Sequence, residues 1–470
     1  MRILLPTGSA TGEIVRKAAE GFDADVVVTG EIASFLTPHA LRSLIRRGSY
    51  DLVIVPGMCT ASFTDLEKDT GIPIIRGPRH AADLSRILPL VGSVPLSRTI
   101  PADDFLAGKD EEETRQRLGM LERDAGADFV IRGVKIGGGS RMKVLAEVMD
   151  AHRRQDILNL VDGAFCAGAD IVDLGFGFDA LPADVARVFS LLDETDGPLA
   201  ADTQDPGLIR AALCRADLIL SLSDRNIPLV ANEIGEAGAA AVVVPGSSTL
   251  QKNIRLAREA GVRCIIADPI LQPAGSGLVR SLGNFTNTKY PLFFGAGNVT
   301  ELMDADSIGV NALLAAMAME IGAAVIFTSE HSDKTRGSIR EMRRAAEMMA
   351  LAKGRPYPKD LGTDLLCIKE KRRRREPPLA YDTLTTAKEM PGEITYDPRG
   401  SFRIGVEGDR IVAVVNGRAV QGDRWQDILY TILANGDVSL LDHAGYLGRE
   451  LYKAELAIRY GRSFEQDGEF

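Results

Sequence analysis

Short apolar runs alternate with segments of helical period along most of this chain, and that rhythm is its clearest feature. In the first third, Ile3–Pro6, Val26–Thr29, Leu52–Pro56 and Ile72–Ile75 read as strands, with Thr11–Glu20 and Pro38–Arg47 as amphipathic helices between them. Strands separated by helices predict a parallel sheet of Rossmann or flavodoxin type over residues 1–125, with the Pro73-bearing run at its edge. An acidic helix over Asp110–Arg123 leads out of it. Phe129–Ile136, Gly137-Gly138-Gly139-Ser140 and Lys143–Val148 then read as strand, tight turn, strand.

From Lys143 the alternation becomes regular. Eight strands are expected, at Val144–Val148, Asp170–Gly175, Leu199–Asp202, Leu218–Leu222, Ala240–Val244, Arg263–Ala267, Leu292–Gly295 and Ala323–Thr328. Helical segments such as Asp156–Ala167, Asp184–Leu192, Pro206–Arg215, Leu250–Ala260 and Ile308–Ile321 follow most of them. Strands apolar through most of their length are strands covered on their faces. Eight units in about 210 residues fit a closed (β/α)8 TIM barrel spanning 126–360, an open doubly wound sheet being the competing arrangement. Residues 361–394 form a charged, proline-containing linker. Its run Lys371-Arg372-Arg373-Arg374-Arg375 reads as a solvated tether or as a polyanion contact. Residues 395–470 form a small α+β module, with a hairpin at Phe402–Val406 and Ile411–Val415 and a helix over Gly445–Tyr460.

Composition narrows the class. With 470 residues, 45% hydrophobic and 26% charged, the chain is an ordinary globular protein of several domains. A formal charge of −10 argues against a nucleic-acid binder. No stretch of about 18 apolar residues occurs, so no membrane span is expected. Five cysteines without a CxxC spacing suggest neither a zinc ribbon nor an iron–sulfur site, and fit a reducing cytoplasm. Cys166, Cys214 and Cys264 stand in apolar contexts and are expected to be buried fillers.

In a barrel, chemistry sits at the C-terminal ends of the strands. Here those ends carry Glu147, Asp173, Asp202, Ser223 with Asp224, Asp268, Asn298, and Glu330 with His331. Asp202 and Asp268 are the strongest pair. Two carboxylates facing one pocket match the N–H groups on the edge of a 2-amino-4-oxo pyrimidine ring. Each also has the reading of a cap on the next helix. In the first domain, Thr7-Gly8-Ser9-Ala10-Thr11-Gly12 follows a strand and precedes a helix, a place for a phosphate cradle or for a plain turn. Gly57-Met58-Cys59-Thr60 is placed to line the same crevice, and Gly77-Pro78-Arg79-His80 reads as a loop.

Taken in order, Gly168-Ala169-Asp170-Ile171-Val172-Asp173-Leu174-Gly175, Ala201-Asp202-Thr203, and Asp268-Pro269 with Gly275-Ser276-Gly277 resemble the strand-end motifs of the dihydropteroate synthase and pterin-binding methyltransferase superfamily. The resemblance implies a reduced pterin as substrate, held by Asp202 and Asp268 with Asp173, Ser223, Asn226, Gly275, Gly277, Gly295 and Asn298 around it. It also implies a diphosphate leaving group near His331 and Lys334, screened by Mg2+. Gly295-Ala296-Gly297-Asn298 departs from the synthases' Ser-Arg-Lys and is similar to the methyltransferases, where an asparagine meets the pterin. The fourth strand, Leu220-Ser221-Leu222-Ser223, lacks the usual asparagine. Glu147 stands where the first strand usually carries one, which leaves the metal ligands unassigned.

The added amino-terminal domain, and the tail with His443-Ala444-Gly445-Tyr446-Leu447-Gly448-Arg449-Glu450, resemble long dihydropteroate synthase-related proteins of organisms that make tetrahydromethanopterin. What that implies is a homodimeric transferase condensing a dihydropterin diphosphate with ribofuranosylaminobenzene phosphate. Methyl transfer from a methyl-pterin to a corrinoid protein, and pterin binding without catalysis, are the alternatives.

Overall fold

A computed structural model describes residues 1–106, 110–286, 289–359, 361–369, 382–389 and 395–469. The basic run at 371–375 lies outside them. The chain divides into two compact units, Met1–Leu366 and Cys367–Phe470.

The first unit opens with strands β1 (Ile3–Gly8), β2 (Ala24–Gly30), β3 (Leu52–Val55) and β4 (Ile74–Arg76), all parallel, in the order β2-β1-β3-β4. The strand that follows Pro73 is indeed at an edge, where an absent N–H leaves no gap in a ladder. Helix Pro38–Ile45 shows how local signals set the connections. Thr37 accepts the Ala40 N–H, Pro38 supplies a ready φ, and Leu41, Leu44 and Ile45 turn one apolar stripe onto the sheet.

Strands β5 (Phe129–Ile131) and β6 (Val134–Ile136) form a hairpin of their own, turning at Arg132-Gly133, where both residues have positive φ. This corrects the expected turn at Gly137–Ser140, because a two-residue hairpin requires that twist at its centre. The hairpin plugs the N-terminal end of the barrel, with Ile131 and Ile136 buried among the barrel's interior side chains.

The barrel strands are β7 (Lys143–Val148), β8 (Ile171–Gly175), β9 (Leu199–Asp202), β10 (Leu218–Leu222), β11 (Ala240–Val243), β12 (Ile265–Ala267), β13 (Leu292–Phe294) and β14 (Ala323–Ser329). All pair in parallel, and β14 closes on β7, so the open-sheet arrangement does not apply. Residues alternate between two cores. One set, including Val144, Val172, Ala201 and Ile265, packs outward against the helices. The other, Leu145, Ile171, Ala200, Leu220, Val242, Ile266, Phe293 and Phe327, fills the barrel. Gly297, in the short helix Ala296–Glu301 after β13, is required for space: a Cβ there would lie 2.7 Å from the Phe327 ring.

Of the cysteines expected to be fillers, Cys166 and Cys214 are exposed. Helix Ile157–Ala167 buries Ile157, Val161 and Ala164, and Cys166 falls off that stripe.

In the second unit, antiparallel strands β15 (Arg403–Glu407), β16 (Arg410–Val415) and β17 (Arg418–Gly422) pack against helices Trp425–Ala434 and Leu441–Tyr460. Asp397 fastens the start of the long helix. Its carboxylate accepts the N–H groups of Arg399, Ser439 and Leu440 and the Ser439 hydroxyl, and lies 3.2 Å from His443 Nδ1. Burial works against the charge, but these donors hold the carboxyl far below its usual range. Glu450, fully buried, pairs with Arg449 and Lys453. His443 and Glu450 of the tail motif therefore both serve the module's own packing.

Candidate active site

Four carboxylates enter the barrel mouth by the same alternation that fills its core. Glu147, Asp173, Asp202 and Asp268 each stand two residues beyond an interior side chain, namely Leu145, Ile171, Ala200 and Ile266. Interior layers of hydrocarbon thus end in a layer of acids. Ligand oxygens of Glu147, Asp173 and Asp202 all lie within 4.8 Å of one another. Gly175 leaves room for this, since a Cβ there would sit 3.0 Å from Glu147 Oε1.

Such crowding is electrostatically costly. Burial, then the charges of Asp202, Glu301 and Asp150, pushes Glu147 up to about 7. Asp173 is wholly buried, and neither of its oxygens has a hydrogen-bond partner among the described residues. Burial, followed by Asp202 and Glu147, raises it well above the carboxylate range. Burial also raises Asp202, against the Ser221 hydroxyl 3.3 Å away. Asp268 is pushed up to about 7, chiefly by burial; the Ile270 N–H, 2.7 Å from Oδ1, opposes this and the Asp202 charge adds to it.

The capping alternative is resolved by the hydrogen bonds. Helix Pro206–Ala212 is capped by Asp205, which accepts from Gly207 and Leu208, so Asp202 is left to the mouth. The Asp268 carboxylate accepts the Ile270 N–H, its one hydrogen-bond partner among the described residues, and the next helix begins at Leu278. Backbone strain gathers in the same place. Asp150, Ser221 and Ile270 have φ of 49°, 67° and 65°, and each lies on a segment that carries or contacts one of the acids. For β-branched Ile270 this is a real outlier.

The other expected residues are more dispersed. Asn226 is buried but spent on its own loop: Oδ1 accepts the Ser223 N–H and Nδ2 donates to Gln204 O. The Ser223 hydroxyl accepts the Arg225 N–H. Asn298 is exposed, on the helix after β13, beside buried Gly295. Gly275 and Gly277 stand on the loop after β12, Gly275 exposed and both with positive φ. His331 is exposed, and Lys334 pairs with Asp304 at 3.0 Å.

A residue the strand-end survey passed over organises the loop after β14. Glu301 accepts hydrogen bonds from the hydroxyls of Ser329, Ser332 and Thr335 and from the His331 N–H. Burial opposes its charge, yet these donors hold it below its usual range. The hydroxyls and the His331 N–H of this loop are thus engaged by Glu301, and Lys334 by Asp304. Glu301 closes a helix rather than a strand, so a reading of strand ends had no signal for it.

Fold and site together define a parallel (β/α)8 barrel with a cluster of carboxylates at its C-terminal mouth, preceded in the chain by an α/β domain and followed by an α+β module. The chain belongs to the same family as Uncharacterized protein MJ0107 of Methanocaldococcus jannaschii, to which it is 33% identical over 99% of this chain and 98% of that protein. Residues 396–467 match the family model described as PterinBD-DUF4346. Among solved structures, the chain is similar to dihydropteroate synthase of Yersinia pestis, at 18% identity over 48% of this chain and 98% of that one, with a TM-score of 0.37. It is also similar to that of Burkholderia cenocepacia complexed with 7,8-dihydropteroate, at 19% identity over 44% and 89%, with a TM-score of 0.36.

Proposed function

We propose that the barrel mouth binds a reduced pterin and that the chain is a transferase of dihydropteroate synthase type. It would condense a 6-hydroxymethyl-dihydropterin diphosphate with an aryl amine, ribofuranosylaminobenzene phosphate, in tetrahydromethanopterin synthesis, as a cytoplasmic homodimer. The observation that carries the reading is the pair Asp202 and Asp268, each two residues beyond an interior side chain and so turned into the barrel mouth at the ends of β9 and β12. The description of the family model matched by residues 396–467 supports the same ligand.

In this reading the 2-amino and ring N–H groups of the pterin are further donors to Asp202 and Asp268, each of which accepts one hydrogen bond from the chain. The chain's part in the reaction is orientation and electrostatics. The amine nitrogen bonds to the pterin's exocyclic methylene carbon as the carbon–oxygen bond to diphosphate breaks, and the amine proton leaves to solvent. Ionised Asp202 and Asp268 stabilise the positive charge that develops on the ring. A Mg2+ ion accompanying the diphosphate would be held by Glu147, Asp173 and Asp202, hard oxygens in close array, those of Asp173 having no hydrogen-bond partner among the described residues. When bound, it would supply positive charge against the leaving diphosphate.

One observation favours a second reading. Glu301 holds the donors after β14, and a diphosphate there would have to displace it. A pterin chemistry without diphosphate, such as methyl transfer to a corrinoid partner, or pterin carriage alone, leaves Glu301 where it is.

Calorimetric titration with 6-hydroxymethyl-7,8-dihydropterin tests the site. Wild type binds, and Asp268→Ala loses at least a hundredfold in affinity, about 3 kcal/mol for a buried charge-assisted contact. Equal affinities would remove Asp268 from the site. Product from diphosphate plus amine, against turnover of methyl-pterin, separates the two reactions.

A further inference from the structure

The barrel accounts for none of the small-residue motifs of the amino-terminal domain, yet these meet around a cavity of about 320 Å3. We infer that this cavity is a second ligand site, for a phosphate monoester carrying a flat ring.

Its place follows from topology. In the order β2-β1-β3-β4 the chain leaves β1 toward one side of the sheet and β3 toward the other. The loops therefore part between β1 and β3 at the C-terminal edge, where open parallel sheets bind ligands. The cavity opens there, lined by the loops after all four strands and by Tyr357 and Lys359 from the segment that follows the last barrel helix, Ser338–Ala352. Its size is at the lower end of the ~300–1,000 Å3 usual for small-molecule sites. The loops after β3 and β4 touch through backbone: a Cβ on Gly57 would lie 2.4 Å from Gly77 O, so that wall has no room for side chains at these positions.

The lining carries two kinds of group. Buried Thr7 and half-buried Thr11 face each other, their hydroxyls 2.9 Å apart on the small-residue turn after β1. The rings of His80 and Tyr357 lie 5.4 Å apart, and Tyr357 is half exposed. Burial holds the His80 imidazole below its usual pKa, so it offers a neutral face. Arg79 is neutralised by Asp103 and Asp104, which leaves its buried Nε without a hydrogen-bond partner among the described residues. Lys359 supplies an exposed positive charge. Hydroxyls and a lysine suit a phosphate, and a tyrosine beside a neutral imidazole suits a planar ring.

This site is independent of the pterin reading, and its test keeps the two apart. Full-length chain is titrated calorimetrically with AMP and with phenyl phosphate, and with inorganic phosphate and adenosine as half-ligands. At least one monoester is expected to bind at least tenfold more tightly than either half-ligand. Thr11→Glu and Lys359→Glu, each placing a carboxylate against the phosphate, should weaken binding at least tenfold while circular dichroism stays that of wild type. Asp268→Asn should leave monoester affinity unchanged. No binding of either monoester at about 5 mM, or wild-type affinity in both glutamate variants, would overturn the assignment.

Discussion

Asp268→Asn should make this protein more stable and less able to bind a pterin, and the stability gain should depend on pH in a calculable way. The folded state raises the Asp268 carboxyl from 3.8 to about 7. Between those values the folded chain holds a proton that the unfolded chain has lost, so stability falls as pH rises through this window and is level above it. Three pH units at about 1.4 kcal/mol each give a cost of about 4 kcal/mol above pH 7, an upper value because a polar mouth relaxes and hydrates. Asparagine removes the charge and keeps an oxygen for the Ile270 N–H. The difference between variant and wild type should therefore be near zero at pH 4 and reach about 1–4 kcal/mol at pH 8. Taking it at matched pH cancels the other acids of the mouth. The one tryptophan, Trp425, lies in the carboxy-terminal module and reports that unit, so barrel stability is followed by hydrogen exchange in the β7–β14 peptides. A variant that gains nothing between pH 4 and pH 8 would refute the claim that Asp268 is held desolvated and charged for a ligand.

Other consequences are simpler. Asp205→Ala should cost about 1 kcal/mol through loss of the helix cap and leave pterin affinity unchanged, which thermal melts and calorimetry on one sample would check. Gly297→Val should destabilise the barrel by about 1–3 kcal/mol in urea unfolding, since its Cβ meets the Phe327 ring. Glu301→Gln should weaken the bonds that tie down residues 329–335, seen as faster amide exchange there. It should also tighten binding of inorganic diphosphate if that loop is the anion site, whereas unchanged diphosphate affinity would favour the chemistry without a diphosphate.

The sequence by itself determined the elements and their class. Strands as apolar as Leu218–Leu222 and Ala240–Val243, each followed by a helix, have no stable home except a covered parallel sheet, and the barrel strands lie within two residues of their expected positions. The acids at the strand ends were equally legible, because a period of two places Asp173 after Ile171 and Asp268 after Ile266 whatever the partners are. What neighbours those acids would have could not be read along the chain. That Asp202 is free of its helix depends on Asp205 taking the cap, and that Glu147 and Asp173 crowd it depends on the closure of β14 onto β7 and the register of β7, β8 and β9. The same holds for Glu301, which meets Ser332 and Thr335 across some thirty positions of sequence. Local propensity acts over a few residues, while burial, charge coupling and hydrogen-bond partnership are set by distances in space, and only the folded barrel supplies those.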